Sequence, residues 1–335
     1  MKRLAIHAAG DLRSEDVPPP TPEQGEVRIK PAYVGICGSD IHYYFDGANG
    51  SFVIHEPLVP GHEISGIVDL DPSGMLAAGT PVTVHPAVFG APVDALAGRA
   101  HMWPGGTYLG SASTTPHKQG AMADLIVARG DQVRTLPAAL PILRAVLSEP
   151  LAVGLHALAR ADVRAGSRVL VSGCGPIGLL AAHAAVLAGA RVTCGDVVDS
   201  ALDRARELGA VATIRMDRTT PDDGAFDVVL ECSGAAPAIQ TALRAVRVGG
   251  TVVQVGNPPA RPLPIDLAPM TAKEIQYLGS QRFLGEIDDA IEMLAAHPSF
   301  DAVISHVEPA ADAVRAFEVA RNSGMSAKVV VAFDD

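Results

Sequence analysis

The chain has 335 residues, a length for which about two domains is the natural expectation. It carries 26 Lys and Arg against 37 Asp and Glu, a net charge of −11, which argues against nucleic acid or an anionic membrane surface as partner, since both select basic surfaces. Hydrophobic residues reach 48% and charged residues 19%, a composition that buries large cores and excludes collagen, coiled coil and long disorder.

The first 145 residues are rich in Pro and Gly and hold short β-type runs: Glu26–Lys30, Ile64–Leu70 and Pro81–Val84, each bounded by turn signals. Helical periodicity is scarce, so this part reads as a mostly β unit with long loops. The opening stretch MKRLAIHAAGDLRSEDVPPP lacks a sustained apolar core, and no signal peptide is expected.

Near Leu147 the pattern changes. Ser167–Ser172 reads as a strand, Gly178–Ala188 as a helix, Arg191–Gly195 as a strand and Asp199–Leu208 as a helix; Asp227–Glu231 and Thr251–Gly256 continue the strands. Apolar, β-branched runs of this kind suit parallel strands buried on both faces. Alternating strand and helix implies a doubly wound α/β sheet. The apolar stretch Pro176–Ala190, interrupted by His183, is too short to span a membrane and reads as a buried helix. Past about residue 290 come a helix, Ala310–Ser323, and a last strand, Ala327–Phe333.

Gly173, Gly175 and Gly178 form a GxGxxG run between the Ser167–Ser172 strand and the following helix. The first glycine permits a tight turn, the second lets a pyrophosphate approach the backbone, and the third lets helix and strand pack closely. The helix start, with Pro176 and Ile177, offers free N–H groups and a positive dipole end to phosphate. Asp196 lies eighteen positions past Gly178 at the end of the next strand. A carboxylate there accepts both ribose hydroxyls and repels a 2′-phosphate, so NAD is expected over NADP. Val255 and Gly256, closing a later strand, complete the candidate cofactor contacts. A methyltransferase also uses a glycine loop followed by an acid.

That alternative is weakened by a second constellation. Gly35-Ile36-Cys37-Gly38-Ser39-Asp40-Ile41-His42, Gly61-His62-Glu63 and Glu149-Pro150 supply thiolate, imidazole and carboxylate, the ligand types of zinc. Taken singly, Cys37 fits a core position, His62 a loop and Glu149 a helix start. The four cysteines, Cys37, Cys174, Cys194 and Cys232, form no CxxC pair. A disulfide framework is therefore not expected, and a reducing, cytoplasmic setting is.

GICGSDIH, GHE and EPLAVGLHA followed by GCGPIG resemble, in order and along essentially the whole chain, the zinc-dependent medium-chain alcohol and polyol dehydrogenases. His42-Tyr43-Tyr44 with Gly50–Ile54 looks like the polyol branch; Tyr108–Ala112 with Pro116-His117 and Gly120 looks most like the L-idonate 5-dehydrogenase type, close to sorbitol dehydrogenases. The resemblance implies a GroES-like catalytic domain, 1–145 and 290–335, around a Rossmann NAD-binding domain, 146–289. It places Cys37, His62, Glu63 and Glu149 on the catalytic zinc, with Glu149 binding directly or through water. Ser39 and His42 fall on a proton relay through the nicotinamide ribose, Tyr43 in the substrate pocket, and Arg282 near nicotinamide and substrate; His117 and Arg282 are candidate partners for a substrate carboxylate. Family members often hold a structural zinc on four cysteines, but Val84–Met102 contains none. One zinc per chain is expected, with the loop packed by Val88, Phe89, Leu96, Met102 and Trp103. The implied activity is NAD-dependent oxidation of a sugar acid or polyol, with L-idonate first and sorbitol or xylitol second, by a homodimer or homotetramer. A metal-free reductase or a non-catalytic dinucleotide-binding relative is the reading from another class.

Overall fold

The computed structural model describes residues 1–333. Asp334 and Asp335, the end of the expected catalytic unit, lie outside the described residues.

Six parallel strands form one sheet, in the spatial order Ala212–Arg215, Arg191–Asp196, Arg168–Ser172, Phe226–Glu231, Val246–Gln254, Gln276–Gly279. Numbered along the chain this order is 3-2-1-4-5-6, the doubly wound dinucleotide-binding arrangement, with its switch point between the Arg168 and Phe226 strands. The central strands are almost wholly buried, because helices cover both faces. The helix Pro176–Leu187 is apolar all round and sits in the middle of the core. Its one polar interruption, His183, is satisfied by Leu208 O at 2.7 Å and Ser299 Oγ at 2.6 Å. Gly154 lets the helix Ser148–Arg160 pack closely: a Cβ there would stand 3.2 Å from Ala181.

The second sheet has seven strands. Its path runs Val133–Thr135, Pro81–Val84, Glu63–Leu70, Glu26–Gly35, Lys328–Ala332, Ile304–Pro309, with Ile126–Arg129 also on Glu26–Gly35. The long strand Glu26–Gly35 is its spine, and its register places Gly35 opposite Glu63. The strand Ile304–Pro309, absent from the sequence reading, pairs in parallel with Lys328–Ala332.

The chain re-enters this sheet at Ile304 rather than near 290. The helix Ile287–Ala296 and the turn Pro298–Val303 bury Ile287, Ile291, Leu294, Phe300 and Val303 in the core shared with the helices of the parallel sheet. An amphipathic helix follows the face that covers its apolar side, and that face belongs to the dinucleotide-type unit. All four cysteines are free thiols. Among the described residues, no helix is long and apolar enough to cross a membrane.

Candidate active site

Two turns and one helix start build the site. Cys37 immediately precedes the helix Gly38–Asp46, whose third residue, Asp40, reaches back: its Oδ2 accepts the Cys37 backbone N–H at 3.0 Å. The other oxygen of Asp40 accepts the Gly61 N–H at 3.2 Å and stands 3.9 Å from His62 Nδ1. One fully buried aspartate thus ties the Cys37 turn to the Gly61-His62-Glu63 turn.

Cys37, His62 and Glu63 each offer a ligand atom, and these atoms lie within 4.8 Å of one another. His62 Nδ1 and Glu63 Oε2 are buried without a hydrogen-bond partner. His62 Nδ1 faces Asp40, so the orphan that calls for a partner is Glu63 Oε2, and a thiolate, an imidazole and a carboxylate are zinc's donor set. The residues present fit the metal. Glu63 owes its room to Gly35, where a Cβ would sit 2.0 Å from the carboxylate. Glu149 is buried nearby but outside this trio; its Oε1 accepts the Tyr108 hydroxyl at 2.5 Å.

The electrostatics are concentrated. Burial pulls the His62 pKa down, but Asp40, Cys37 and Glu149 outweigh it and raise it to about 10. Burial and the neighbouring Glu63 push the Glu149 carboxyl up against the pull of His62. Lys328, from the last strand, donates to Glu63 Oε1 at 2.6 Å and to Ile36 O at 3.0 Å. Burial lowers its pKa, and Glu63 and Cys37 more than reverse that, keeping the ammonium charged.

Tyr108 links this centre to the other unit. Its ring meets His62 edge-on at 5.4 Å, and the Arg282 guanidinium stacks on it at 3.9 Å. Arg282 is half-buried, with a left-handed φ of 49°. The loop carrying Tyr108 holds its shape without cysteines. Trp103 Nε1 donates to Leu96 O at 3.3 Å, and His85 Nε2 donates to Leu284 O at 3.0 Å while its ring packs on Phe283.

Other expected residues fall in different settings. Ser39 is half-buried at the helix start; His42, one turn on, is exposed, with Nδ1 on Asp46 at 2.9 Å. Tyr43 is buried in the core, its hydroxyl accepting the Ala112 N–H at 3.1 Å. His117 is spent on the backbone: Nδ1 donates to Thr114 O at 2.8 Å, and Nε2 accepts the His55 N–H at 3.0 Å. Both ring nitrogens are committed, so it braces two loops instead of offering a substrate contact. The sequence reading missed Asp40, Tyr108 and Lys328. Asp40 and Tyr108 stand inside the motifs quoted above without a role of their own; for Lys328 the signal is a lysine opening the apolar run Lys328–Ala332, since a buried lysine needs a partner.

At the other site the three glycines divide their work. Gly173 has φ of 100°, and a Cβ at Gly178 would fall 1.9 Å from Gly173 O. Gly175, by contrast, is open, with nothing within 4 Å of where a Cβ would be; it caps the helix that begins at Pro176 and Ile177. Asp196 ends its strand, Oδ2 accepting the Cys174 N–H at 2.6 Å and Oδ1 the Val198 N–H at 2.9 Å. Val255 and Gly256 donate to Glu231 O at 2.8 and 2.9 Å, which lays their turn against the Cys232–Gly234 loop at the sheet's switch point.

Residues 23–138 match the alcohol dehydrogenase GroES-like domain, and residues 176–296 match the zinc-binding dehydrogenase family. Sorbitol dehydrogenase of Gallus gallus is 34% identical over 349 residues, covering 99% of this chain and 96% of that protein. The chain belongs to the zinc-dependent medium-chain alcohol dehydrogenases. Within that family, solved structures superpose along the whole length. L-Idonate 5-dehydrogenase from Escherichia coli gives a TM-score of 0.90 at 29% identity, covering 99% of this chain and 98% of that one. A protein from Sinorhizobium meliloti 1021 described as a zinc-binding dehydrogenase and bound to NADP gives 0.88 at 27%, with coverage of 99% and 98%. The chain is thus an enzyme of the polyol and sugar-alcohol dehydrogenase type, built as a GroES-like domain on a Rossmann-like parallel sheet.

Proposed function

We propose that this dehydrogenase oxidises a secondary alcohol of a sugar acid or polyol with NAD, and that L-idonate, yielding 5-keto-D-gluconate, is the best-fitting substrate. The observation that carries the reading is the Cys37–His62–Glu63 cluster with its orphaned Glu63 Oε2, beside the Tyr108–Arg282 stack. When bound, zinc acidifies the substrate hydroxyl and NAD takes up the hydride.

The chain's own residues do the rest. Cys37, His62 and Glu63 hold the one metal, with Glu149 in reserve behind the Tyr108 hydroxyl. Arg282 presents a planar guanidinium, the fork that suits a substrate carboxylate, and it supports a sugar acid over a neutral polyol. Ser39 and His42 form an outward proton path along one helix face. With Nδ1 engaged by Asp46, His42 keeps Nε2 for exchange with solvent. Asp196 favours NAD because its carboxylate repels a 2′-phosphate. The open edge strand Gln276–Gly279 supports a symmetric dimer or tetramer.

A sorbitol- or xylitol-type activity is the second reading, favoured by the 34% identity to a sorbitol dehydrogenase. The test is initial-rate NADH formation on L-idonate, D-gluconate, sorbitol, xylitol and threonine, with and without chelator. Chelator-sensitive turnover of L-idonate with NAD is expected. Turnover of sorbitol without idonate discards the substrate and keeps the mechanism. No turnover of any alcohol, with no zinc retained, discards both.

A further inference from the structure

Arg215 ends the strand Ala212–Arg215 as the register partner of Asp196 on the neighbouring strand. Both side chains border the turn that opens the next helix. Asp196 Oδ1 accepts the Val198 N–H at 2.9 Å, and Arg215 reaches Asp199, the first helical residue, at 2.5 Å. From the other side, Asp217 receives Arg215 Nε at 2.7 Å and Nη2 at 3.3 Å. The arginine side chain is 24% exposed, whereas Asp199 and Asp217 are 71% and 45% exposed. The guanidinium is thus drawn in against the rim and neutralised by two carboxylates that stand in solvent.

An arginine at the rim of the adenosine-ribose subsite is the group that receives a 2′-phosphate, because the guanidinium fork matches phosphate oxygens in a bidentate fashion. Here the fork is already occupied, in the geometry phosphate would use. We propose that Arg215 is a latent 2′-phosphate site kept closed by Asp199 and Asp217. Discrimination against NADP then has two parts: Asp196 repels the phosphate, and the two aspartates withhold the cation that would welcome it. This rests on the NAD reading above. A family member that binds NADP is known, so the fold itself admits the phosphate.

The two parts predict non-additive behaviour. Removing Asp196 alone relieves repulsion but leaves Arg215 engaged. Exposed ion pairs are individually weak and easily broken by substitution, so replacing both clamp residues releases the arginine. NADPH and NADH dissociation constants are measured by nicotinamide fluorescence on the zinc-loaded wild type, Asp196→Ser, the triple variant Asp196→Ser/Asp199→Asn/Asp217→Asn, and the triple variant carrying Arg215→Met. The triple variant is expected to bind NADPH at least about tenfold more tightly than Asp196→Ser, a gain of about 1.4 kcal/mol, and Arg215→Met is expected to abolish it. The gain should fall as salt rises, as a phosphate–guanidinium contact requires. A triple variant no better than Asp196→Ser, or a gain that survives Arg215→Met, overturns this proposal and leaves the NAD reading standing. A wild type that binds NADPH more tightly than NADH overturns both.

Discussion

Lys328 Nζ lies 2.6 Å from Glu63 Oε1, joining two buried charges separated by 265 residues of chain. The last strand therefore reaches into the candidate metal site and fixes one carboxylate oxygen, leaving the other, Oε2, unpartnered beside Cys37 and His62. Removing one member of a buried pair strands the other charge, at a cost of about 3–5 kcal/mol. Lys328→Met should lose stability of that size in urea titration and should retain less zinc after dialysis. A loss below about 1 kcal/mol would mean the pair is solvated in solution.

Tyr108 holds Glu149 through a 2.5 Å hydrogen bond while its ring carries Arg282. Tyr108→Phe separates these duties, since phenylalanine keeps the ring and drops the donor. A buried carboxylate that loses a hydrogen bond costs about 1.5–3 kcal/mol. The expected result is a kcat/KM about tenfold lower with KM for the proposed sugar-acid substrate little changed, because the proposed carboxylate partner, Arg282, keeps its ring to stack on. A rise in KM alone would instead assign the hydroxyl to substrate binding.

The glycine loop offers a contrasting pair of substitutions. A Cβ at Gly178 would collide with Gly173 O at 1.9 Å, whereas Gly175 has free space around it. Gly178→Ala should cost at least about 2 kcal/mol of stability through overpacking. Gly175→Ala should melt like the parent yet bind NADH at least about tenfold more weakly, because the added methyl occupies the approach of the pyrophosphate. Equal NADH affinity in Gly175→Ala would move the cofactor off this loop.

Glu286 gives a pH dependence with a definite sign. Burial pushes its carboxyl up, but the His156 ring at 2.6 Å and the Leu284 N–H at 2.7 Å prevail and lower its pKa to about 2. A carboxyl lowered on folding stabilises fully above its unfolded pKa, about 4.3, and that stabilisation fades as pH falls toward 2. Because the group is partly exposed, about 1–2 kcal/mol is expected at pH 7. Glu286→Gln should be less stable than the parent by that amount at pH 7, and the gap should narrow below about pH 4.5. A gap that is constant from pH 7 to 3.5 would assign the loss to packing.

The legible parts of this protein are those whose physics is local. Gly173, Gly175 and Gly178 announce a strand, a turn and a helix because each meets a backbone requirement within six residues, and Asp196 follows from the strand they introduce. The alternation of apolar strands and helices likewise reveals a doubly wound sheet, because burial on both faces is written into each strand. Motif resemblance extends this to Cys37, His62 and Glu63. Tertiary structure decided what spacing cannot carry. The register of Gly35 against Glu63 opens room for the carboxylate. The return of the last strand brings in Lys328. A long loop delivers Tyr108 to Glu149, while His117, chemically just as able, is consumed by two backbone groups. Apart from the local His117–Thr114 contact, these join groups tens to hundreds of residues apart, and their geometry exists only once the chain has folded back on itself.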